Sequence, residues 1–73
     1  MYAETFPSKL KKARENTGFT QREVELETGI KQPTIAGYEI GRTQPDLENL
    51  GILADFYQVS VDWLLGTKGF PKQ

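Results

Sequence analysis

Glycines at positions 18, 29, 41 and 66 each close a stretch of helix-like apolar spacing, which restricts the chain to short helices. Five can be read. The first runs from about Phe6 to Asn16, with Phe6, Leu10 and Ala13 as its apolar stripe. Pro7 falls in its first turn, where a missing N–H costs little. The second begins at Thr20, which forms with Glu23 the Thr-x-x-Glu spacing of a capping box. Val24 and Leu26 are its apolar members, Gly29 ends it, and Phe19 is placed for a staple with Val24. The third covers Gln32 to Glu39 or Ile40, behind a poor N-cap, Lys31. Pro33 lies in its first turn, and Ile35 and Tyr38 share an inward face. The fourth follows Pro45, is capped by Asp46 and carries Leu47, Leu50, Leu53, Ala54 and Tyr57 as an apolar face. Gly51 inside it costs about 1 kcal/mol relative to alanine and implies close packing or a weak point. The fifth is short, capped by Ser60 and filled by Val61, Trp63, Leu64 and Leu65. The only β-branched cluster, Val59 to Val61, is too short for a strand.

The expected architecture is therefore all-α, a compact five-helix bundle in one domain over residues 1–66, with a short tail over 67–73 broken by Gly69 and Pro71. At 73 residues the chain buries one small core and little more. With neither cysteine nor histidine, disulfide scaffolds, thiolate sites and zinc sites are excluded, and no metal or cofactor is expected. No apolar run approaches a membrane span and no signal-peptide pattern opens the chain, so no membrane partner and a cytoplasmic location are expected.

The net charge of −1 argues mildly against a nucleic-acid partner, but its distribution softens the objection. Lys9, Lys11, Lys12, Arg14, Arg22, Lys31 and Arg42 all lie in the first 45 residues, whereas Asp46, Glu48, Asp55 and Asp62 outweigh Lys68 and Lys72 in the rest. Affinity for DNA would rest on a local footprint.

The segments 20–28 and 32–39, joined tightly at Gly29 and Ile30, have the helix-turn-helix arrangement. Spacing alone suits a DNA-binding pair and an ordinary small helical domain equally. A more specific pattern is carried by Phe19-Thr20-Gln21-Arg22-Glu23-Val24, by Thr28-Gly29-Ile30-Lys31-Gln32-Pro33-Thr34-Ile35 and by Tyr38-Glu39-Ile40-Gly41-Arg42-Thr43-Gln44-Pro45-Asp46. It continues through Leu47, Leu50, Leu53 and Ala54 into Val59-Ser60-Val61-Asp62-Trp63-Leu64-Leu65-Gly66, and begins upstream at Leu10 and Arg14. Over residues 6–66 the chain resembles the phage-repressor/Cro-like, or XRE, helix-turn-helix family, with its lambda-repressor-like fold. The resemblance implies a transcriptional regulator, usually a repressor, that binds double-stranded DNA as a homodimer on a palindromic operator, with helix three in the major groove.

Carried over residue by residue, the resemblance puts Gln21 on a phosphate at the start of the bracing helix, with Thr20 beside it. It puts Gln32 on a base edge, where an amide pairs bidentately with adenine. Pro33, Thr34 and Gly37 complete the expected base-contact set. Pro33 and Gly37 stand where the family often has polar side chains, so Pro33 offers only a thymine-methyl contact and Gly37 only close backbone approach. Ala36 and Gly37 are expected to face outward, wholly or in part. Arg42 and Thr43 are expected on the DNA backbone, and Lys31 reads equally as a phosphate partner or a solvated lysine. Arg14 and Glu39 are expected to form a structural ion pair tying helix one to the recognition helix.

Exposed aromatics could in principle stack bases. Tyr57 and Trp63 read as core, while Tyr2, Phe6, Phe56 and Phe70 are candidates for a dimer interface. An enzyme is not expected: histidine and cysteine are absent, and Glu23, Glu25 and Glu27 alternate along a helix as a solvated face. No small-molecule effector is evident. The competing reading is a protein-interaction module or antitoxin on the same scaffold, with little DNA binding of its own.

Overall fold

Each helix contributes one side chain that is fully shielded from solvent: Leu10, Val24, Ile35, Leu53 and Leu64. They belong respectively to α1 (Tyr2–Thr17), α2 (Gln21–Thr28), α3 (Gln32–Glu39), α4 (Leu47–Tyr57) and α5 (Val61–Leu65). The coordinates are a computed structural model that describes residues 2–67. The expected tail over 67–73 therefore lies, apart from Thr67, outside the described residues. The five helices form an all-α bundle around one core, to which Phe6, Ala13, Ile30, Tyr38, Ala54 and Tyr57 also belong.

The helix starts follow local chemistry. In the box at α2, Glu23 N donates to Thr20 Oγ1 (3.1 Å) and Thr20 N donates to Glu23 Oε1 (2.8 Å). Asp46 accepts from Asn49 N at 2.8 Å, and Ser60 accepts from Trp63 N at 3.0 Å. Helix ends are left-handed at Gly29 (φ 82°) and Gly66 (φ 77°), a conformation that glycine adopts without steric cost. No glycine follows Tyr57, and Gln58 takes the same conformation (φ 58°) to end α4.

α1 begins at Tyr2, four residues before the expected start, so Pro7 is interior rather than in the first turn. It leaves one rung of the ladder unmade, a cost of up to about 3 kcal/mol in a free helix. Tertiary packing holds this turn in place. The Pro7 ring lies against Gly41, where an added Cβ would stand 3.4 Å from its Cγ. The Thr5 methyl lies against Gly66, where a Cβ would come within 2.9 Å. The extra turn is thus seated between the ends of α3 and α5, contacts that no local pattern announces. α1 and α5 are joined further by Lys9, whose Nζ sits 4.6 Å from the Trp63 ring centroid.

Three apolar expectations change. Leu26 is 78% exposed, because two residues beyond Val24 it points away from the core. Leu47, the first residue of α4, is 87% exposed. Gly51 has open space where a Cβ would be, so close packing does not explain it. Among the aromatics, Phe6 is buried in the core, and Phe56 stacks on Phe19 (centroids 5.1 Å apart) and Tyr57 (5.3 Å). Phe6 is therefore not available for the expected dimer interface, whereas Phe56 is only partly buried. Tyr2 is half exposed, and Phe70 lies outside the described residues.

Candidate nucleic-acid interface

Lys31 gives α3 no side-chain cap. The first turn is capped instead from α2: Glu25 Oε1 accepts from Gln32 N at 2.8 Å. The same carboxylate is 3.9 Å from Lys31 Nζ, a pair open enough to water to add little. Glu25 is therefore not the solvated residue its alternation with Glu23 and Glu27 suggested. Glu23 also has a structural task, closing the box at Thr20. Within the turn, the Thr28 hydroxyl donates to Val24 O at 2.8 Å and accepts from Ile30 N at 3.2 Å. These bonds, with buried Ile30, hold α3 at a set angle to α2.

A second set of bonds runs from the core to the surface. Arg14 Nε donates to Glu39 Oε2 at 2.7 Å and Arg14 Nη2 donates to Glu39 Oε1 at 2.9 Å, a two-bond fork in which the carboxylate is almost fully buried. Arg14 Nη1 also donates to Phe19 O at 3.0 Å, anchoring the entry to α2. Its bond to Glu39 raises the Arg14 pKa above the ordinary arginine value. Glu39 Oε1 further accepts from Gln21 Nε2 at 3.0 Å, and Gln21 Oε1 accepts from Gln32 Nε2 at 2.8 Å. The amides expected to meet phosphate and base are thus joined to each other and, through Glu39, to α1. Each retains unspent capacity. Gln21 has its second amide hydrogen, and Gln32 has one amide hydrogen and Oε1. Thr20 accepts as a cap and still has its own hydroxyl proton to donate.

The other flank of α3 is closed by the chain that follows it. Arg42 N and Thr43 N both donate to Gly37 O, at 2.9 and 3.4 Å. Gly37 is buried beneath these residues, not outward as expected. A Cβ there would stand 3.0 Å from Thr43 Oγ1 and 3.5 Å from Arg42 Nη2. A larger residue there would have to displace the Thr43 hydroxyl by a few tenths of an ångström, because the side chains of the loop lie close on the helix. Arg42 and Thr43 are exposed and, with Pro33, Thr34, Tyr38 and Gln44, line a shallow depression beside the first turn of α3. Tyr38 is fastened from α4 by Asn49 Nδ2, 3.0 Å from its hydroxyl.

Tyr57 lies within electrostatic reach of the Arg14–Glu39 pair. Its hydroxyl is buried and has no hydrogen-bond partner. Burial, followed by the negative charge of Glu39, pushes its pKa from 10 up to about 12. A folded-state pKa above the unfolded value gives stability that is complete below pH 10 and lost as pH rises through about 12. Tyr57→Phe is expected to keep or slightly raise stability at neutral pH, since it removes an unpaired polar group. It should also flatten the decline between pH 10 and 12, as read by urea unfolding across that range. A clear loss of stability at neutral pH would show that the hydroxyl is satisfied.

Two short helices across a left-handed glycine, with amides at both N-termini and a basic loop behind the second, define a helix-turn-helix domain. The helix-turn-helix family pattern matches residues 10–64. The chain is 38% identical over 58 residues to the HTH-type transcriptional regulator ImmR of Bacillus subtilis (strain 168), covering 80% of this chain and 46% of ImmR. It is 38% identical over 60 residues to the SPbeta prophage-derived regulator YonR of the same organism, covering 82% of this chain and 56% of YonR. It is 50% identical over 38 residues to the B. subtilis regulator AnsR, covering 52% of this chain and 33% of AnsR. The chain spans about half the length of the first two of these relatives. It belongs to the XRE/Cro-like helix-turn-helix family, whose members are DNA-binding domains and not enzymes. Among the described residues, no helix is long and apolar enough to cross a membrane.

Proposed function

We propose that this chain is the sequence-specific, double-stranded-DNA-binding part of a transcriptional repressor, with α3 in the major groove and α2 bracing it across the backbone. The observation that carries this reading is the Gln32–Gln21 hydrogen bond of 2.8 Å, which joins the N-terminal ends of the two helices. Gln32 keeps a donor and an acceptor for a base edge, and Gln21 keeps a donor for a phosphate next to the free N–H groups of α2. Arg42, Thr43, Lys31 and Thr20 supply backbone contacts around them, and Pro33 and Thr34 supply the remaining base-edge surface. Gly37 is left out of the contact set because the Arg42–Thr43 loop covers it.

One such domain makes few contacts, so affinity is expected to come from a homodimer on a palindromic site, the recognition helices about 34–36 Å apart. Exposed Leu47, Tyr2 and Val61 are apolar surface consistent with self-association. The test is selection from a randomised duplex pool over a salt series. Selective binding that weakens as salt rises is expected. Gln32→Ala should lose about 1–3 kcal/mol of discrimination, about 5- to 150-fold, at one base pair per half-site. Absence of selection at low salt would overturn the reading and leave the protein-interaction role.

A further inference from the structure

The first turns of α2 and α3 are closed in different ways. In α2 the capping-box carboxylate turns back to the cap: Glu23 Oε1 accepts from Thr20 N at 2.8 Å, and Glu23 N donates to Thr20 Oγ1 at 3.1 Å. The N–H groups of Gln21 and Arg22 stay open among the described residues. In α3 the carboxylate comes from another helix and takes an N–H of the first turn itself. Glu25 Oε1 accepts from Gln32 N at 2.8 Å. Pro33 carries no N–H, so of the first three residues of α3 only Thr34 keeps one to give among the described residues. Lys31, the basic residue at this head, has its Nζ 3.9 Å from Glu25 Oε2. A helix N-terminus draws anions through its exposed N–H groups and its dipole. At α3 both are already answered by an anion of the protein's own, whose side chain is 27% exposed and so carries its charge to the surface.

We infer that Glu25 is a specificity-determining residue that bars phosphate from the head of α3 and so lowers the affinity of this chain for DNA of arbitrary sequence. The inference rests on the DNA-binding reading and adds how non-specific binding is held down. Phosphate is the same at every sequence, so an attraction to it raises affinity without discrimination. A unit negative charge about 4 Å from a phosphate weakens binding about fivefold even at the dielectric of water. That penalty falls on any complex that brings a phosphate to the head of α3. With α3 seated in the major groove, the same head faces base edges instead, and the penalty is largely avoided. Specificity then gains from a repulsive element rather than from a further attraction. The cap alone does not require the charge. Lys31 gives α3 no side-chain cap, and any neutral acceptor at position 25 would serve Gln32 N.

The test removes the charge and keeps the cap. In Glu25→Gln the side-chain carbonyl can still accept from Gln32 N, but no anion stands at the head of α3. Fluorescence anisotropy reads binding to two duplexes of equal length, the site recovered by selection and an unrelated sequence, between about 50 and 200 mM salt. At the low end Glu25→Gln should bind the unrelated duplex about 3- to 10-fold more tightly than the wild type, and the selected site less than about twofold more tightly. The gain should shrink as salt rises, because the charge acts at the surface. Glu27→Gln removes an exposed charge two residues along α2, on another face of the helix, and should move neither duplex by more than about twofold. No gain in Glu25→Gln would overturn the inference. So would a gain equal on both duplexes, or an equal gain in Glu27→Gln, since net charge would then suffice. Failure to recover any site by selection would overturn the sequence-specific reading. In that event a gain on the unrelated duplex confined to Glu25→Gln would still uphold the closed head, and its absence would overturn that as well.

Discussion

Arg14→Ala is expected to lower stability by about 3–5 kcal/mol, enough to leave much of the protein unfolded at 37 °C. The size follows from what is stranded. Glu39 has a carboxylate at 2% exposure that receives two bonds from Arg14, at 2.7 and 2.9 Å. Without the guanidinium, an ionised group is left buried with one neutral amide donor. Phe19 O loses its donor at the same time, so the entry to α2 loosens. A paired Arg14→Met, Glu39→Met variant should be far less damaged, because nothing charged is then left behind. Urea unfolding of the three proteins reads both effects. A single-variant loss below about 1 kcal/mol would mean that water reaches the carboxylate and the fork contributes little.

Leu64→Ala should cost about 2–5 kcal/mol, and unevenly across the molecule. Leu64 is the one buried residue of α5 and has no solvent exposure. A helix of five residues has no independent stability and persists only through its packing. α5 packs most extensively on α1, where Gly66 receives the Thr5 methyl and Lys9 covers Trp63. Amide hydrogen exchange should therefore show the last turn of α4, α5 and the first turn of α1 losing protection before α2 and α3. Uniform loss across all five helices would instead indicate that α5 and the helix-turn-helix unit unfold only together.

The contrast between the two variants separates scaffold from reading surface. Arg14→Ala acts on the bonded chain that ends at Gln32, so surviving folded protein should show weakened base discrimination. Leu64→Ala acts in α5, which packs on α1 and α4, and should spare that discrimination in the folded fraction.

Much of the scaffold was legible in the residues because its signals are local. Thr20 with Glu23, Asp46 and Ser60 announce helix starts through bonds spanning three residues. Gly29 and Gly66 announce stops through a backbone conformation of their own. Apolar spacing found Leu10, Val24, Ile35, Leu53 and Leu64, one core residue for each helix. Where apolar composition misled, Leu26 lies off the face that Val24 turns to the core and Leu47 stands at the first position of α4, and both are exposed.

The candidate interface was legible as residue types and, apart from the Arg14–Glu39 pair that the family resemblance implied, not as connections. Glu25 reads locally as one of three alternating acids, yet it caps a different helix seven residues away. The poor cap at Lys31 was the one sign that α3 needed an outside acceptor. Gly37 reads locally as an open helix position and is buried, because the chain after α3 folds back on it.

The glycine stops with which the sequence begins its division into helices, together with the caps at Thr20, Asp46 and Ser60, therefore determined the number and order of the elements, since each depends on bonds within a turn. Only the tertiary structure decided how far α1 extends and what its early turn rests on, because Pro7 and Thr5 meet Gly41 and Gly66 across the fold. It likewise decided that the Arg14–Glu39 pair, which the family resemblance implied, continues through Gln21 to Gln32, across separations of 11 to 25 residues. Hydrogen-bond direction along that link is a property of four side chains held in one place, and no single residue or local spacing encodes it.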